Sequence, residues 1–575
     1  MNLEVIVILG VLLVVAATTL GPKLGVATPL ILVALGFGMS LIPFIDAVVI
    51  EPEWILAGVL PPLLYSAAVN TPVMEFRRDF GLISAFSVVL VVVTSVAIGF
   101  LATWMVPGLP LGLGVALGAV VSPTDAVATS IVRRAGVSNR LVTVLEGEAM
   151  LNDATALVLL RTAVAAVGVS ISLWQVLGQF VWAVAAAVVI GWLAGKVNLL
   201  ARRWITEVPA GVALSLGVPF LAYLPASYVG ASGLVAAVTA GLVSGFGAPK
   251  HLGARERLAE RAVWRTVELL LESAVFLMVG LELPTLMATL SNDGTYLGQP
   301  LVVAVVVGTA AIAIRIVFVA FALYSLAGRN RRTPRIREQL SQWQDQVAEG
   351  QLPPEALPAR AGRHWRTLRR GGRPTSTEER QSRWQQLLSR RIADLDYLAA
   401  EQFGWRDGAI LVWAGMRGAL TIAAAQTLPA GTAHRSLIIL AATIVAVGTL
   451  VIQGLTLAGL ARRLGVTSDD NNSNPRQWRI LQKELDAAAL ESLPEPSSAD
   501  AARVLSKVRE RLHQTTRNGA VEAQARQLRL SAVEAQRVRL GELRQLGTYP
   551  SAMLDDALAQ LDAQQLSIEL RQEYD

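Results

Sequence analysis

The chain has 575 residues, of which 53% are hydrophobic and 16% charged, with a mean hydropathy of +0.49 and a formal net charge of +6. Soluble domains carry about 25% charged residues, so the composition excludes a chain that is soluble throughout. Cysteine is absent, which excludes disulfides and thiolate-bound metal, and four scattered histidines argue against a histidine-built metal site.

Apolar blocks of about 18–25 residues, the length a helix needs to cross a bilayer, fill residues 3 to about 463. They predict an all-α polytopic membrane protein with helices at about 3–20, 24–45, 53–70, 79–105, 110–132, 141–165, 172–199, 207–225, 229–247, 264–286, 299–327, 408–427 and 436–462, thirteen in all. The N-terminus runs straight into apolar sequence without a basic stretch or a clear cleavage site, so the first helix is expected to be retained. Short cytoplasmic loops are enriched in Lys and Arg. One alternate set of connections holds Lys23, Arg77, Arg78, Arg133, Arg134, Arg140, Arg202, Arg203, Lys250, Arg255, Arg257 and Arg261. The other holds Asp46, Glu51, Glu53 and Asp293, with Arg435 its one clear basic exception. This partition predicts an outside N-terminus and a cytoplasmic C-terminus.

The domain organisation expected is a membrane domain over 1–463, interrupted by a cytoplasmic basic insert at 328–406, and a cytoplasmic tail over 464–575. The insert, with RNRRTPRIREQ and ARAGRHWRTLRRGGRP, reads as a solvated basic loop near anionic lipid headgroups. No stacking or base-reading motif accompanies its charge, so nucleic acid is not an expected partner. In the tail, ARVLSKVRERLHQ and VEAQRVRLGELRQL have helical apolar spacing, and LPEPSS and GTYPS punctuate them. It reads as a helical regulatory or dimer-stabilising region with no catalytic motif.

A charge at the centre of a membrane helix costs roughly 2.5–3.5 kcal/mol, which makes each one a functional candidate. In LGLGVALGAVVSPTDAVATSIV, Pro123 cannot bond the Ala119 carbonyl. Ser122 and Thr124 flank that break with hydroxyls, and Asp125 follows. Irregular backbone at membrane depth survives where it lines a cavity or is buried in protein. In the next helix Glu148 and Asn152 share a face, and Asp153 lies about 100° round. A helical rise of about 1.5 Å per residue puts Asp153 roughly 18 Å and Asp125 roughly 10–12 Å from the cytoplasmic side, where the two carboxylates can meet. Arg315 and Arg417, the latter flanked by Gly415 and Gly418, are the cations at similar depth, and each needs an anionic or carbonyl partner. Arg161 is close enough to a helix end to reach water. Glu146 reads as lying near a helix end, and Glu268 and Glu272 read as mostly interfacial.

At these residues the chain resembles the monovalent cation:proton antiporter family that includes bacterial NhaP proteins and animal Na+/H+ exchangers. SPTDAVA is similar to the family's Thr-Asp motif on an unwound fifth helix, and EGEAMLNDATALV to its GESLLNDG motif. FLMVGLELP, GMRGALTIA and LPPLLYSAA resemble further signatures, so the likeness covers residues 3–463. It implies thirteen helices in two inverted repeats, crossed unwound helices five and twelve, and a homodimer in the bacterial cytoplasmic membrane. It also implies a site for a monovalent cation or proton, with no cofactor. Carried over residue by residue, Asp153 is the exchanging carboxylate, Asn152 orients the site, and Asp125 and Thr124 assist. Glu148 pairs with Arg315, and Arg417 stabilises the crossed helices. Two positions depart from the pattern. Ala149 stands where the family often has Ser, and Ser66 where some members have an acid in the third helix.

The mechanism this implies is competition of one proton and one cation for a desolvated carboxylate. Asn152 adds no charge beside Asp153, so the exchange is expected to be electroneutral, with Na+ or Li+ preferred and K+ the alternative. An intramembrane aspartyl protease is a rival for two neighbouring Asp, but the GxGD pattern is missing and the arginines would have no task. A cation channel or membrane sensor of the same fold is the other rival.

Overall fold

The computed structural model describes residues 3–24, 28–41, 54–167, 173–205, 207–292, 298–330, 333–349, 377–400, 402–429, 431–466, 475–492 and 519–574. Among these, every regular element is a helix. The chain divides into two compact units, Met1–Ala322 with Gly404–Asp469, and Leu323–Phe403 with Asp470–Asp575.

In the first unit a helix, or a helix in pieces, lies over each of the thirteen apolar segments. The order begins Leu3–Leu24, Thr28–Ser40 and Leu60–Asn70, the last continuing a π-helical turn at Trp54–Val59. Val73–Arg78 is short, and Phe80–Ser84 passes through the π-helical Ala85–Leu90 into Val91–Met105. Then come Leu111–Val121, Ala126–Arg134, Asn139–Ala165, Leu173–Ala201, Val208–Tyr228, Gly233–His251, Ala254–Asn292 and Gly298–Asn330. Trp405–Trp413, Ala419–Gln426 and Arg435–Leu464 close the unit. Among the described residues, five stretches are long and apolar enough to cross a membrane by length and composition: Phe80–Met105, Gly178–Ala201, Val208–Tyr228, Gly298–Gly328 and Arg435–Leu464.

Large apolar side chains such as Phe100, Trp182, Trp192, Val317 and Phe321 point outward, as they do where the solvent is hydrocarbon. One core gathers Tyr65, Ala187, Ala194, Val218, Ala222 and Trp264, from four different helices. The Tyr65 and Trp264 rings lie 5.0 Å apart there.

Three arginines that read as loop charges are buried instead. Arg140 donates to both oxygens of Asp79, at 2.7 and 2.9 Å. Arg202 donates to Glu260 at 2.8 and 3.0 Å, to Glu256 at 3.3 Å and to Asn198 at 3.1 Å. Arg257 donates to the Leu252 carbonyl. Loop position is legible in the sequence, but not the neighbouring helix that supplies each partner.

In the second unit the basic insert corrects the reading of a loop. Thr333–Ala348 and Thr377–Ala400 are helices that pack through Leu340, Val347 and Leu388, with Trp343 and Trp384 against them. Arg337 pairs with Asp396 across the two. Both helices carry an apolar stripe beneath their many charges, and each covers the other's. The stretch 359–374 lies outside the described residues, as do 493–498, the helix expected at 502–514, and Asp46, Glu51, Glu53 and Asp293. The tail forms the helices Pro475–Glu491, Gly519–Leu546 and Ser551–Tyr574. Gly547 turns the last two at φ +73°, a conformation that glycine adopts freely.

Candidate functional site

Two of the apolar segments are broken in the middle, and the breaks meet. The first separates Leu111–Val121 from Ala126–Arg134. Pro123 has no N–H for the helix ladder, and Asp125 restarts the helix as its N-cap, accepting from the Val127 N–H at 3.3 Å. The second break separates Trp405–Trp413 from Ala419–Gln426. The Asp125 N–H donates to the Met416 carbonyl at 2.8 Å, so one interrupted backbone partly satisfies the other.

Two glycines permit this approach. A Cβ on Gly418 would stand 1.8 Å from the Asp125 Oδ2, and one on Gly415 would stand 2.6 Å from the Arg315 Nε. Neither position has room for any side chain.

The arginines take different partners. Arg315 donates through Nη2 to Glu148 at 2.9 Å and through Nη1 to its other oxygen, a bidentate pair. Its Nε donates to the Leu411 carbonyl at 2.9 Å, and its guanidinium lies 5.7 Å from the Phe86 ring centroid. Arg417 donates to the Val121 carbonyl at 2.8 Å and to the Gly415 carbonyl, while its backbone N–H donates to Thr449 at 3.0 Å. Those carbonyls lie at the C-terminal ends of the broken helix halves, where the dipole is negative. Arg417 therefore closes both breaks without drawing on a carboxylate.

The remaining polar atoms face one another. Asn152 donates through Nδ2 to the Thr124 hydroxyl at 2.8 Å, and that hydroxyl donates to Glu148 at 3.4 Å. Among the described residues the Asn152 Oδ1 has no partner, although the residue is 1% exposed. Asp153 and Asp125 are half-buried and within reach of each other's charge. This geometry gathers all seven residues singled out in the sequence: Thr124, Asp125, Glu148, Asn152, Asp153, Arg315 and Arg417. Among the described residues no group of three or more carboxylate, imidazole or thiolate side chains is arranged to hold a resident metal. The chemistry available is reversible occupancy of a carboxylate by a proton or a weakly held cation.

Three other acids were read as lying near a helix end or the interface. Glu146 pairs with Arg133 near the surface. Glu268 accepts from the Ser66 hydroxyl at 3.0 Å, and Glu272, one turn further along the same helix, feels the charge of Asp125. The interfacial reading of Glu272 is therefore corrected. In sequence, 268 and 272 are four apart and so share a face, just beyond the charged first turns of the helix. Arg161 is exposed.

Comparison with known proteins places these features. The family described as sodium/hydrogen exchanger, transmembrane, matches residues 8–348. The Na+/H+ exchanger YjcE of Escherichia coli is 37% identical over 271 residues, 45% of this chain and 49% of that protein, so the chain spans about half its length. The Na+/H+ exchanger Rv2287 of Mycobacterium tuberculosis is 28% identical over 591 aligned positions, 98% of this chain and 96% of that protein. The sodium, potassium, lithium and rubidium/H+ antiporter of Bacillus subtilis is 29% identical over 284 residues, 47% of this chain and 41% of that protein. Among solved structures, the sodium proton antiporter MjNhaP1 of Methanocaldococcus jannaschii superposes with a TM-score of 0.53 at 16% identity, covering 81% of this chain and 99% of that one.

Proposed function

We propose that this chain, which belongs to the sodium/hydrogen exchanger family, exchanges Na+ or Li+ for H+ across the bacterial cytoplasmic membrane by alternating access at Asp153. The protein is a secondary transporter rather than an enzyme.

The observation that carries this reading is the charge balance at the crossed breaks. Glu148, Asp125 and Asp153 supply up to three negative charges, and Arg315 and Arg417 two positive ones. One negative charge is left for a single proton or a single monovalent cation to balance. Burial disfavours the bare carboxylate, so the site is occupied by one or the other before it moves. The Asn152 Oδ1 and the Thr124 hydroxyl supply neutral oxygens for the cation. Asn152 is uncharged, so one cation replaces one proton and no net charge crosses.

The reading includes thirteen crossings in two inverted repeats, an outside N-terminus, a cytoplasmic insert and C-terminus, and a homodimer. The insert and tail serve as a regulatory or dimer-stabilising region. Transport of K+ is the second reading. It is favoured by the Bacillus subtilis relative, named for sodium, potassium, lithium and rubidium, and by Ser66 and Ala149 in place of stronger ligands.

Proteoliposomes loaded with a pH-sensitive dye test the assignment. A jump in external Na+ should drive proton flux in the native protein, and Asp153→Asn should lose it while remaining folded. Flux near the native rate in Asp153→Asn would remove Asp153 from the mechanism.

A further inference from the structure

The long helix Ala254–Asn292 carries Glu256, Glu260, Glu268 and Glu272 in its first half. Glu256 and Glu260 at its start are held by Arg202. Glu268 and Glu272 follow further along, with Trp264 between the two pairs. Neither Glu268 nor Glu272 forms an ion pair among the described residues. Glu268 accepts from Ser66 at 3.0 Å, and the charges facing it are those of Arg265 and Arg133. The acids facing Glu272 are Asp125 and Glu268.

Helix register puts Glu272 level with the crossed breaks. Gln426, the last residue of Ala419–Gln426, donates to Glu282. Both helices continue from that contact toward their N-termini. Ten residues back along one helix, about 15 Å, is Glu272. Eight residues back along the other, about 12 Å, is Gly418, which abuts Asp125. Two buried oxygens near this level lack partners among the described residues: Oδ1 of Asn152, 1% exposed, and Oγ1 of Thr421, fully buried on the Ala419–Gln426 helix. An acidic step that ends at unfilled oxygens is laid out for a dehydrating cation.

We infer that Glu268 and Glu272 are the access steps by which a monovalent cation reaches Asp125 and Asp153 from the cytoplasmic side, with Ser66 holding Glu268 in the path. The inference rests on the proposed antiport. The third helix contributes a hydroxyl here, and the tenth supplies the carboxylate that this hydroxyl positions. Both acids stay with one side of the membrane, so they raise the local cation concentration without entering the exchange stoichiometry. The outer face gains nothing from them.

The test measures the half-saturating Na+ concentration separately on the two faces, in vesicles of known orientation, for the native protein, Glu272→Gln, Glu272→Asp and Glu268→Gln. Glu272→Gln should raise the cytoplasmic value roughly five- to tenfold, the scale of one charge lost at short range in a partly wetted protein, with little change in maximal rate. Glu268→Gln should do the same to a smaller degree, and Glu272→Asp should restore most of the affinity. The outer-face value should stay at the native level, as should thermal unfolding in detergent. An unchanged cytoplasmic value in Glu272→Gln would overturn the inference. An equal rise on both faces would place Glu272 in the exchanging site itself and overturn the access role. Native protein and Asp153→Asn run in the same vesicles separate the cases. If native exchange is absent, or persists in Asp153→Asn, the underlying reading fails; if both behave as proposed, only the role of Glu272 is at stake.

Discussion

Two buried polar clusters lie in the unit formed by Met1–Ala322 and Gly404–Asp469, and they are built on opposite terms. Around Arg202 each guanidinium nitrogen has an acceptor: Glu260 twice, Glu256, and Asn198, whose own amide donates to Ser244 at 3.0 Å. The helices that carry this cluster, Leu173–Ala201, Gly233–His251 and Ala254–Asn292, run through it unbroken or end beside it. Around Asp125 two helices are interrupted, two glycines yield their space, and oxygens of Asn152 and Thr421 have no partner among the described residues. A saturated cluster has nothing left to bind with and serves as a joint. An unsaturated one keeps its desolvation cost open until a ligand fills it. The sharpest contrast between them lies in their spare acceptors, since both are charged and both are buried.

The largest effect expected from this contrast is on Glu148 and Glu260. Removing one partner of a buried pair strands the other charge and costs about 3–5 kcal/mol. Glu148→Gln should therefore destabilise strongly in thermal unfolding, and Glu260→Gln less, because Glu256 still pairs with Arg202. Only Glu148→Gln should also lose exchange, because Glu148 enters the charge balance of the site. Glu260→Gln, corrected for the amount of folded protein, should retain the native half-saturating cation concentration. If Glu260→Gln silenced transport in properly folded protein, the division into joint and site would not hold. For Glu148 and Arg315, the double variant should be milder than the sum of the singles, and strict additivity would count against their pairing.

A smaller effect is expected at Gly418. The added methyl of Gly418→Ala collides with Asp125, and overpacking of this kind costs about 1–3 kcal/mol. Its main consequence should be a fall in exchange rate, since the two breaks can no longer touch. Gly454→Ala, on Arg435–Leu464 with open space at its Cβ, is the matching control and should transport normally. Equal rates in the two variants would mean that the close approach of the breaks is not used.

The smallest effect expected is none. In vesicles with clamped membrane potential, the initial rate should not depend on voltage, because a single proton replaces a single cation. A steep voltage dependence would mean that a second acid titrates along with Asp153, with Asp125 the first suspect and Glu272 the next. Repeating the measurement with Na+, Li+ and K+ ranks the ions.

Much of the site was legible in the chain because hydrocarbon makes polarity conspicuous. Pro123 and Asp125 inside an apolar run, the Asn152–Asp153 pair, and two arginines at membrane depth stand out where a single charge costs several kcal/mol. The apolar lengths similarly marked where helices lie. The insert was misread because its helices are amphipathic, and the surplus of Arg and Gln hid a thin stripe of Leu340, Val347 and Leu388. Glu272 was missed because a position near a helix end looks the same in sequence whether it meets water or another acid.

Sequence alone determined that this chain crosses a membrane, which residues are too costly there to be incidental, and where the backbone must break. Tertiary structure alone decided who meets whom. Glu148 takes Arg315 and leaves Arg417 to the carbonyls, Ser66 reaches Glu268 across 202 positions of chain, and Met416 supplies the acceptor for Asp125. Periodicity fixes the face of a helix on which a residue lies. Partners contributed by different helices follow only once the helices are packed.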